Sequence, residues 1–400
     1  MLPSISANEL EADAPAGSTV QFFIGRGGGG HTASARAVRD CLLQQGVPWA
    51  KNIEFVDTGY LFDSIISGRR EKGYDADELY NSLMSRGWYR LAAILSPLGA
   101  LIMWLMHGRL VRGLERFWRA RPPFAVVCFV PVSHTAMREA LLRACPSAPL
   151  ITVITDMESS HSHCWMAPYD ARASVNQTIV AGSATLRGQA AQLHYPPSHV
   201  LSTSGMVIHP ALYESVSRHE AVATTGNDDE SGRLTSAVVF FGGYAPIRVE
   251  SIVVHALRSH PRLNLVVLCG GNTELLRRLD ALNHPRCHDK LLCAHSCPCS
   301  LLLPVHSPHC ALLLHLPTFP TLQYTRWYYL PNFPHRPPAL HLPSTSLPRS
   351  CSGEGFITAQ QIRDHFCAAD FVIGKPGPGV VAEALVCNLP FVTEVRGCPR

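Results

Sequence analysis

Acidic residues are missing altogether from residues 291–352, which hold no Asp or Glu, while proline and leucine recur there without the spacing of a helix or a strand. Charge is thin elsewhere too. Asp, Glu, Lys and Arg supply 16% of the 400 residues and sum to a net +4, where an ordinary soluble domain has about a quarter of its residues charged. The Lys and Arg are scattered, so the basic stripe that binds a phosphate backbone is lacking and no nucleic acid is expected as a partner. The 14 cysteines show no paired framework, which argues against a disulfide scaffold and for a reducing compartment. The first nineteen residues lack an apolar core, and Glu9, Glu11 and Asp13 fall among them; neither a secretory leader nor an organelle transit peptide is visible. No metal site is expected. His161 and His163 are joined by no thiolate or carboxylate at recognisable spacing, and Cys293, Cys297 and Cys299 lack paired ligands.

Four hundred residues exceed what one core usually holds, so two domains are expected. The pattern places a disordered start at 1–19, a first domain at 20–213, a linker rich in Ser, Thr, Gly and acids at 214–235, and a second domain at 236–400 with a low-complexity insert at 284–354. Residues 20–24 read as a strand and 32–45 as a helix, with Gly25-Arg-Gly-Gly-Gly-Gly-His31 between them. Gly25, Gly27 and Gly30 satisfy the GxGxxG spacing, and a second strand ends in Asp57, where a dinucleotide fold keeps its ribose-binding acid. An NAD-dependent oxidoreductase is therefore one reading. His31 argues against it, because an imidazole at the helix mouth has no part in that fingerprint; the helix end disfavours its charged form, leaving a neutral ring able to accept a proton.

Residues 91–106 are almost wholly apolar and are followed by Arg109, Arg112, Arg116 and Arg119. Sixteen residues with Pro97 and Gly99 inside are short for a span, which takes about twenty. A membrane-surface element with basic flanks or a buried helix pair fits better. Further strands are expected at 125–130 and 150–154, and the second of these ends in Thr155-Asp156. Ligands of open α/β sheets bind at that carboxyl edge, so Asp156 is a site candidate.

A second series of strand, glycine and helix begins at residue 237, with turns at Gly242-Gly243 and Gly270-Gly271. It ends on Lys375-Pro-Gly-Pro-Gly-Val-Val-Ala-Glu-Ala-Leu385, between a short buried strand and a helix expected from about Val380. Gly377 and Gly379 allow a tight turn with the backbone close to a ligand, and the helix end behind them offers unpaired N–H groups and partial positive charge, the makings of a phosphate cradle. Glu383 is expected on the first turn of that helix, within reach of a sugar hydroxyl.

Taken together, GGGGHTASA at 27–35, the segment of Asp156 and His161, FFGG at 240–243 and GFITAQQIRDHFCAADFVIGKPGPGVVAEAL at 355–385 resemble the monogalactosyldiacylglycerol synthases. Those enzymes are related to the bacterial N-acetylglucosaminyltransferase that makes the peptidoglycan lipid precursor. The resemblance covers most of residues 20–282 and 355–393. It implies an α/β protein of the GT-B class: two Rossmann-like domains facing a cleft, acceptor in the first, UDP-sugar in the second, the second expected to be interrupted and incomplete at its C-terminal end, with inversion at the anomeric carbon and no obligatory metal. It implies that Phe356 and Ile357 meet the uracil, Glu383 the ribose, and Gly377, Pro378 and Gly379 the diphosphate, with Gly242, Gly243 and Lys375 beside it. Gly28, Gly29, Gly30 and His161 would line the acceptor side, with His31 as base for the acceptor hydroxyl and Asp156 as a second candidate. The implied partners are UDP-galactose or UDP-glucose, diacylglycerol and an anionic membrane surface, such as the plastid envelope; beside the oxidoreductase, a non-catalytic UDP- or lipid-binding remnant of such an enzyme is the other alternative. Two departures stand out: Arg26 precedes the glycines where the family has a small or acidic residue, and Val207 and His209 replace the expected Gly-Leu-Pro-Val-Arg-Pro run. The acid-free stretch interrupts the family pattern between Leu282 and Gly355 and reads as foreign to the fold, as translated intron sequence would.

Overall fold

In the computed structural model of the chain, the residues described are 19–25, 29–67, 79, 82–83, 88, 91, 101–131, 133–156, 165–171, 177–225, 235–243, 245–282, 287–290 and 358–393. The chain divides into two compact units, 1–84 with 88–210, and 85–87 with 211–400. Each is built on one parallel sheet.

In the first unit, β1 (Thr19–Ile24), β2 (Ile53–Asp57), β3 (Pro123–Cys128), β4 (Leu150–Val153), β5 (Gln177–Ala181) and β6 (Val200–Ser202) lie in the order β2-β1-β3-β4-β5-β6. All neighbours run parallel, and the connections carry α1 (Gly30–Gln44), α2 (Thr58–Ser67), α3 (His107–Ala120), α4 (His134–Ala144) and α5 (Ala184–Gln192). Successive strand side chains point to opposite faces, and a parallel sheet needs both faces covered. Phe23, Val126 and Cys128 accordingly pack with Leu114, Trp118 and Met137 on one face, while Phe22, Val127 and Phe129 pack with Ala35 of α1 on the other.

The arginine-rich stretch divides between the two sequence readings. Leu110, Val111, Leu114 and Trp118 of α3 recur at helical spacing and are buried, whereas Arg109, Arg112, Arg116 and Arg119 are exposed. Residues 101–105 just ahead are also helical, yet Leu101, Ile102, Trp104 and Leu105 are exposed by 49, 44, 72 and 63%. So α3 is a core helix with a basic outer face, preceded by apolar side chains in solvent. Among the described residues no helix is long and apolar enough to cross a membrane.

The second unit holds β7 (Thr235–Phe240), β8 (Leu263–Leu268), β9 (Cys287–Lys290), β10 (Phe371–Gly374) and β11 (Phe391–Thr393), in the order β11-β10-β7-β8-β9. Its helices are α6 (Arg218–Thr225), α7 (Val249–Ser259), α8 (Thr273–Leu282), α9 (Ala359–Ala368) and α10 (Pro378–Val386). Ala237, Val239, Leu265 and Val267 pack with Val253 and Leu275 on one face; Val238, Phe240 and Val266 pack with Phe366 and Val380 on the other. Two parallel, Rossmann-like α/β units in one chain are the makeup of the GT-B class that the sequence implied.

Two boundaries differ from the sequence reading. The segment expected as a linker carries α6, and the division between units falls after Pro210. Ala221 of α6 is fully buried, and Arg218 bonds Asp370 at 2.7 Å; a short Ala-Val-Ala run inside an eight-residue helix gives no periodicity to read. Likewise β9 lies inside the span assigned to the insert, where Cys287 to Lys290 pair in parallel register with Leu265 to Leu268. The charged Cys-His-Asp-Lys strand sits at the sheet edge, where β-propensity and alternation are weakest. The remainder of the insert, from 291, lies outside the described residues.

Candidate functional site

In the first unit the strand order reverses between β1 and β3, the switch point at which ligands of such sheets bind. Gly29, at φ 80, turns the chain from β1 into α1, and His31 follows as the second helical residue. Its Nδ1 shares a 2.9 Å hydrogen bond with Thr155 Oγ1, just beyond β4. Asp156 is next along the chain, and its Oδ2 accepts the indole N–H of Trp165 at 3.0 Å. The Trp165 ring is completely buried and meets the His31 ring edge to face, with centroids 5.6 Å apart. His134, at the start of α4, lies 6.4 Å from the same indole. Its Nε2 is 2.8 Å from the Val130 carbonyl, which can only accept, so that nitrogen carries the proton; Nδ1 faces the Thr152 hydroxyl at 3.3 Å. When His31 donates Nδ1–H to Thr155, its basic lone pair is on Nε2, the tautomer a proton acceptor requires.

The sequence departure at His209 has a local explanation. Its Nε2 lies 3.3 Å from Asp40 Oδ2 on α1. Burial would raise the Asp40 carboxyl, but His209 and Arg39 outweigh it and hold the group below its ordinary value.

In the second unit the order reverses between β7 and β10, and glycines follow both strands. Gly242 adopts φ 84 after β7, and a Cβ on it would meet nothing within 4 Å. Gly270 adopts φ 60 after β8, where a Cβ would lie 2.2 Å from the Gly243 carbonyl oxygen. That carbonyl accepts the Gly271 N–H at 2.7 Å, and Asn272 caps α8 by accepting the Leu275 N–H at 3.0 Å. Gly374 ends β10, with its Cβ position 2.2 Å from the Phe240 carbonyl oxygen. These contacts knit the starts of α8 and α10 to the end of β7.

Gly377 and Gly379 depart from the reason the sequence suggested. Gly377 has φ −76 as the N-cap of α10, and Gly379 is helical, so neither needs a backbone that only glycine tolerates. What both have is room: a Cβ on either would touch nothing within 4 Å. The first intrahelical bond runs from the Val381 N–H to the Gly377 carbonyl at 3.0 Å, so the N–H groups of Gly379 and Val380 have no carbonyl partner inside the helix. Pro378, at N1, has no N–H to satisfy. Lys375 is exposed beside this turn. Glu383 lies in the second turn of α10, not the first, which contains no acid; the helix starts at Pro378, two residues before the position expected, because proline is preorganised for N1.

The structure thus gathers His31 and Asp156 at one sheet edge, and Gly242, Gly243, Gly377, Pro378 and Gly379 at another. Gly29 and Gly30 lie at the start of α1. Gly28, His161, Phe356 and Ile357 are outside the described residues. The sequence reading gave Thr155 and Trp165 no role; the bond of Thr155 to His31, 124 positions away, is made by topology, while that of Trp165 to Asp156 spans only nine positions. Asp57, which the dinucleotide reading needs for a ribose, accepts the Tyr60 N–H at 3.2 Å and so starts α2. Among the described residues no group of three or more His, Cys, Asp or Glu could hold a metal ion.

No protein-family model and no curated protein sequence matches the chain. Among solved structures, MurG of Acinetobacter baumannii is similar at 13% identity, over 95% of this chain and 80% of that one, with a TM-score of 0.43. HepE (Alr3699) of Anabaena, solved with UDP-glucose, is similar at 12% identity over 94% and 80%, with a TM-score of 0.41. MnaA of S. aureus, solved with UDP, is similar at 10% identity over 94% and 78%, again at 0.41. At such identities and scores these likenesses decide nothing about activity.

Proposed function

We propose that this protein is a UDP-sugar-dependent glycosyltransferase that moves a hexose, galactose by the sequence resemblance, onto diacylglycerol at an anionic membrane surface. The observation that carries the reading is the cradle at the second unit's switch point: glycines with open space over their backbone, at a helix end whose N–H groups lack carbonyl partners. A diphosphate suits such a site because fixed N–H dipoles stabilise its charge without reorganising. In this reaction the acceptor hydroxyl attacks the anomeric carbon, UDP leaves from the opposite side, and His31 takes the hydroxyl proton, with Asp156 the alternative base. Lys375 adds charge beside the leaving group.

The lipid half of the reading draws on the exposed Leu101, Ile102, Trp104 and Leu105 next to the arginine face of α3. Apolar side chains that enter the headgroup boundary and arginines that meet anionic lipid together make a peripheral attachment. Titration calorimetry with UDP and with NAD+ tests the donor half. Micromolar UDP binding without NAD+ binding is expected, and the reverse would sink the proposal. Labelled UDP-galactose and UDP-glucose, offered with diacylglycerol vesicles, then test transfer. Replacing Trp104 and Leu105 by Ser is expected to abolish co-sedimentation with anionic vesicles, and unchanged sedimentation would remove the membrane from the proposal.

A further inference from the structure

We infer that Trp165 is a positioning residue of the first unit's site, setting the Asp156 carboxylate and the His31 imidazole in one arrangement; this rests on the glycosyl-transfer reading only for the consequence in turnover. The indole is one of the largest fully buried side chains among the described residues, yet Trp165 belongs to no strand or helix. A buried indole N–H needs a partner, and here the partner is the charged group of the site, Asp156 Oδ2 at 3.0 Å. The faces and edges of the same ring are used as well. His31 packs against it at 5.6 Å and an interplanar angle of 64°, and His134 at 6.4 Å and 34°. His134 is in turn fixed by Val130 and Thr152, and His31 by Thr155. The indole therefore touches both proton-accepting groups of the site, and movement of its N–H end displaces Asp156 while movement of its ring displaces His31.

The test uses the full chain. Trp165→Phe keeps an aromatic ring beside the imidazoles and deletes the N–H donor. With UDP-sugar and diacylglycerol vesicles, kcat is expected to fall about 10- to 100-fold while KM for the UDP-sugar stays within about twofold. On an Asp156→Asn background the same change is expected to cost less than about threefold, because it acts through Asp156. Equal losses on both backgrounds, or a matching loss in donor affinity, would overturn the inference. A second measurement needs no turnover. In 15N-histidine spectra, with His31 assigned through His31→Gln, Asp156→Asn is expected to move the His31 ring signals when Trp165 is present and to leave them in place on the Trp165→Phe background, with His255 unchanged throughout. Shifts of equal size on the two backgrounds, or no shift on either, refute the coupling. A wild-type chain that transfers no sugar but shows the coupled shift would defeat the glycosyl-transfer reading and leave the role of Trp165 standing.

Discussion

Gly379→Ala separates what the second unit's cradle does for folding from what it does for a ligand. Gly379 is the second residue of α10, and an added Cβ meets no atom within 4 Å. Folding therefore gains: alanine in a helix interior is better than glycine by about 0.8–1 kcal/mol, and about half of that is a fair figure for the first turn, where the backbone is less constrained. For a unit of this size the gain corresponds to about 1–2 °C in Tm. Ligand binding loses. If the open space holds a diphosphate, the methyl group keeps its oxygens from the N–H groups of Gly379 and Val380, and hydrogen bonds to a charged group contribute about 1.5–3 kcal/mol each. Losing one such bond weakens UDP by about 10- to 150-fold. Differential scanning fluorimetry without ligand and titration calorimetry with UDP read the two effects separately. A variant that binds UDP like wild type would refute the cradle assignment, and a Tm lowered by several degrees would refute the claim that the fold leaves this position open.

The contrasting glycine is Gly270: alanine there must hold φ 60 with its Cβ 2.2 Å from the Gly243 carbonyl oxygen. The left-handed conformation costs about 1–2 kcal/mol, and displacing the carbonyl loses the Gly271 bond worth about 1 kcal/mol. Gly270→Ala should thus lower the denaturant-derived stability of the second unit by about 2–3 kcal/mol, and a change under about 1 kcal/mol would contradict the geometry. His31→Ala should lower sugar transfer by about two to four orders of magnitude and leave UDP affinity unchanged; an equal loss of UDP binding would make His31 structural. The Asp370 carboxyl gives a pH dependence. Burial would raise it, but Arg218 and the Ser236 N–H outweigh burial and hold it below its ordinary value. Its stabilisation is therefore complete above the unfolded value of about 3.9 and is lost as pH falls through the lower folded value. Acid unfolding of wild type should steepen in that range, and Asp370→Asn should flatten it; identical acid profiles would show the pair contributes nothing.

Much of the architecture was legible because parallel sheets advertise themselves. Strands buried on both faces read as continuous apolar runs, and 125–130 and 150–154 were placed within two residues of β3 and β4. What failed to show was structure held by single or polar contacts. Helix α6 is secured by Ala221 and by Arg218 on Asp370, and β9 is an edge strand in which three of four residues are polar. Asp156 was found from its place at a strand end and His31 from its helix mouth, both local features. That Trp165 and Thr155 meet His31 depends on β1 and β4 flanking β3, a fact of sheet order that no local pattern encodes.

The glycines carry a finer distinction, and it bears on function more than their number does. Gly270 and Gly374 are explained by the fold alone, since a neighbouring carbonyl oxygen stands 2.2 Å from where each Cβ would be. Any protein with these strand ends would need them, whatever it bound. Gly377 and Gly379 have ordinary backbone angles and empty space around them, and in a helix the second is a net cost relative to alanine. Gly377 is an N-cap, a position that favours glycine over alanine, but for Gly379 the fold supplies no reason. A residue that destabilises its own helix and leaves room over backbone N–H groups at a topological switch point suits the proposed diphosphate, whose charge would complement those N–H groups and Lys375. A strand-to-helix turn kept only for packing would show the opposite pattern, with Cβ clashes at Gly377 and Gly379.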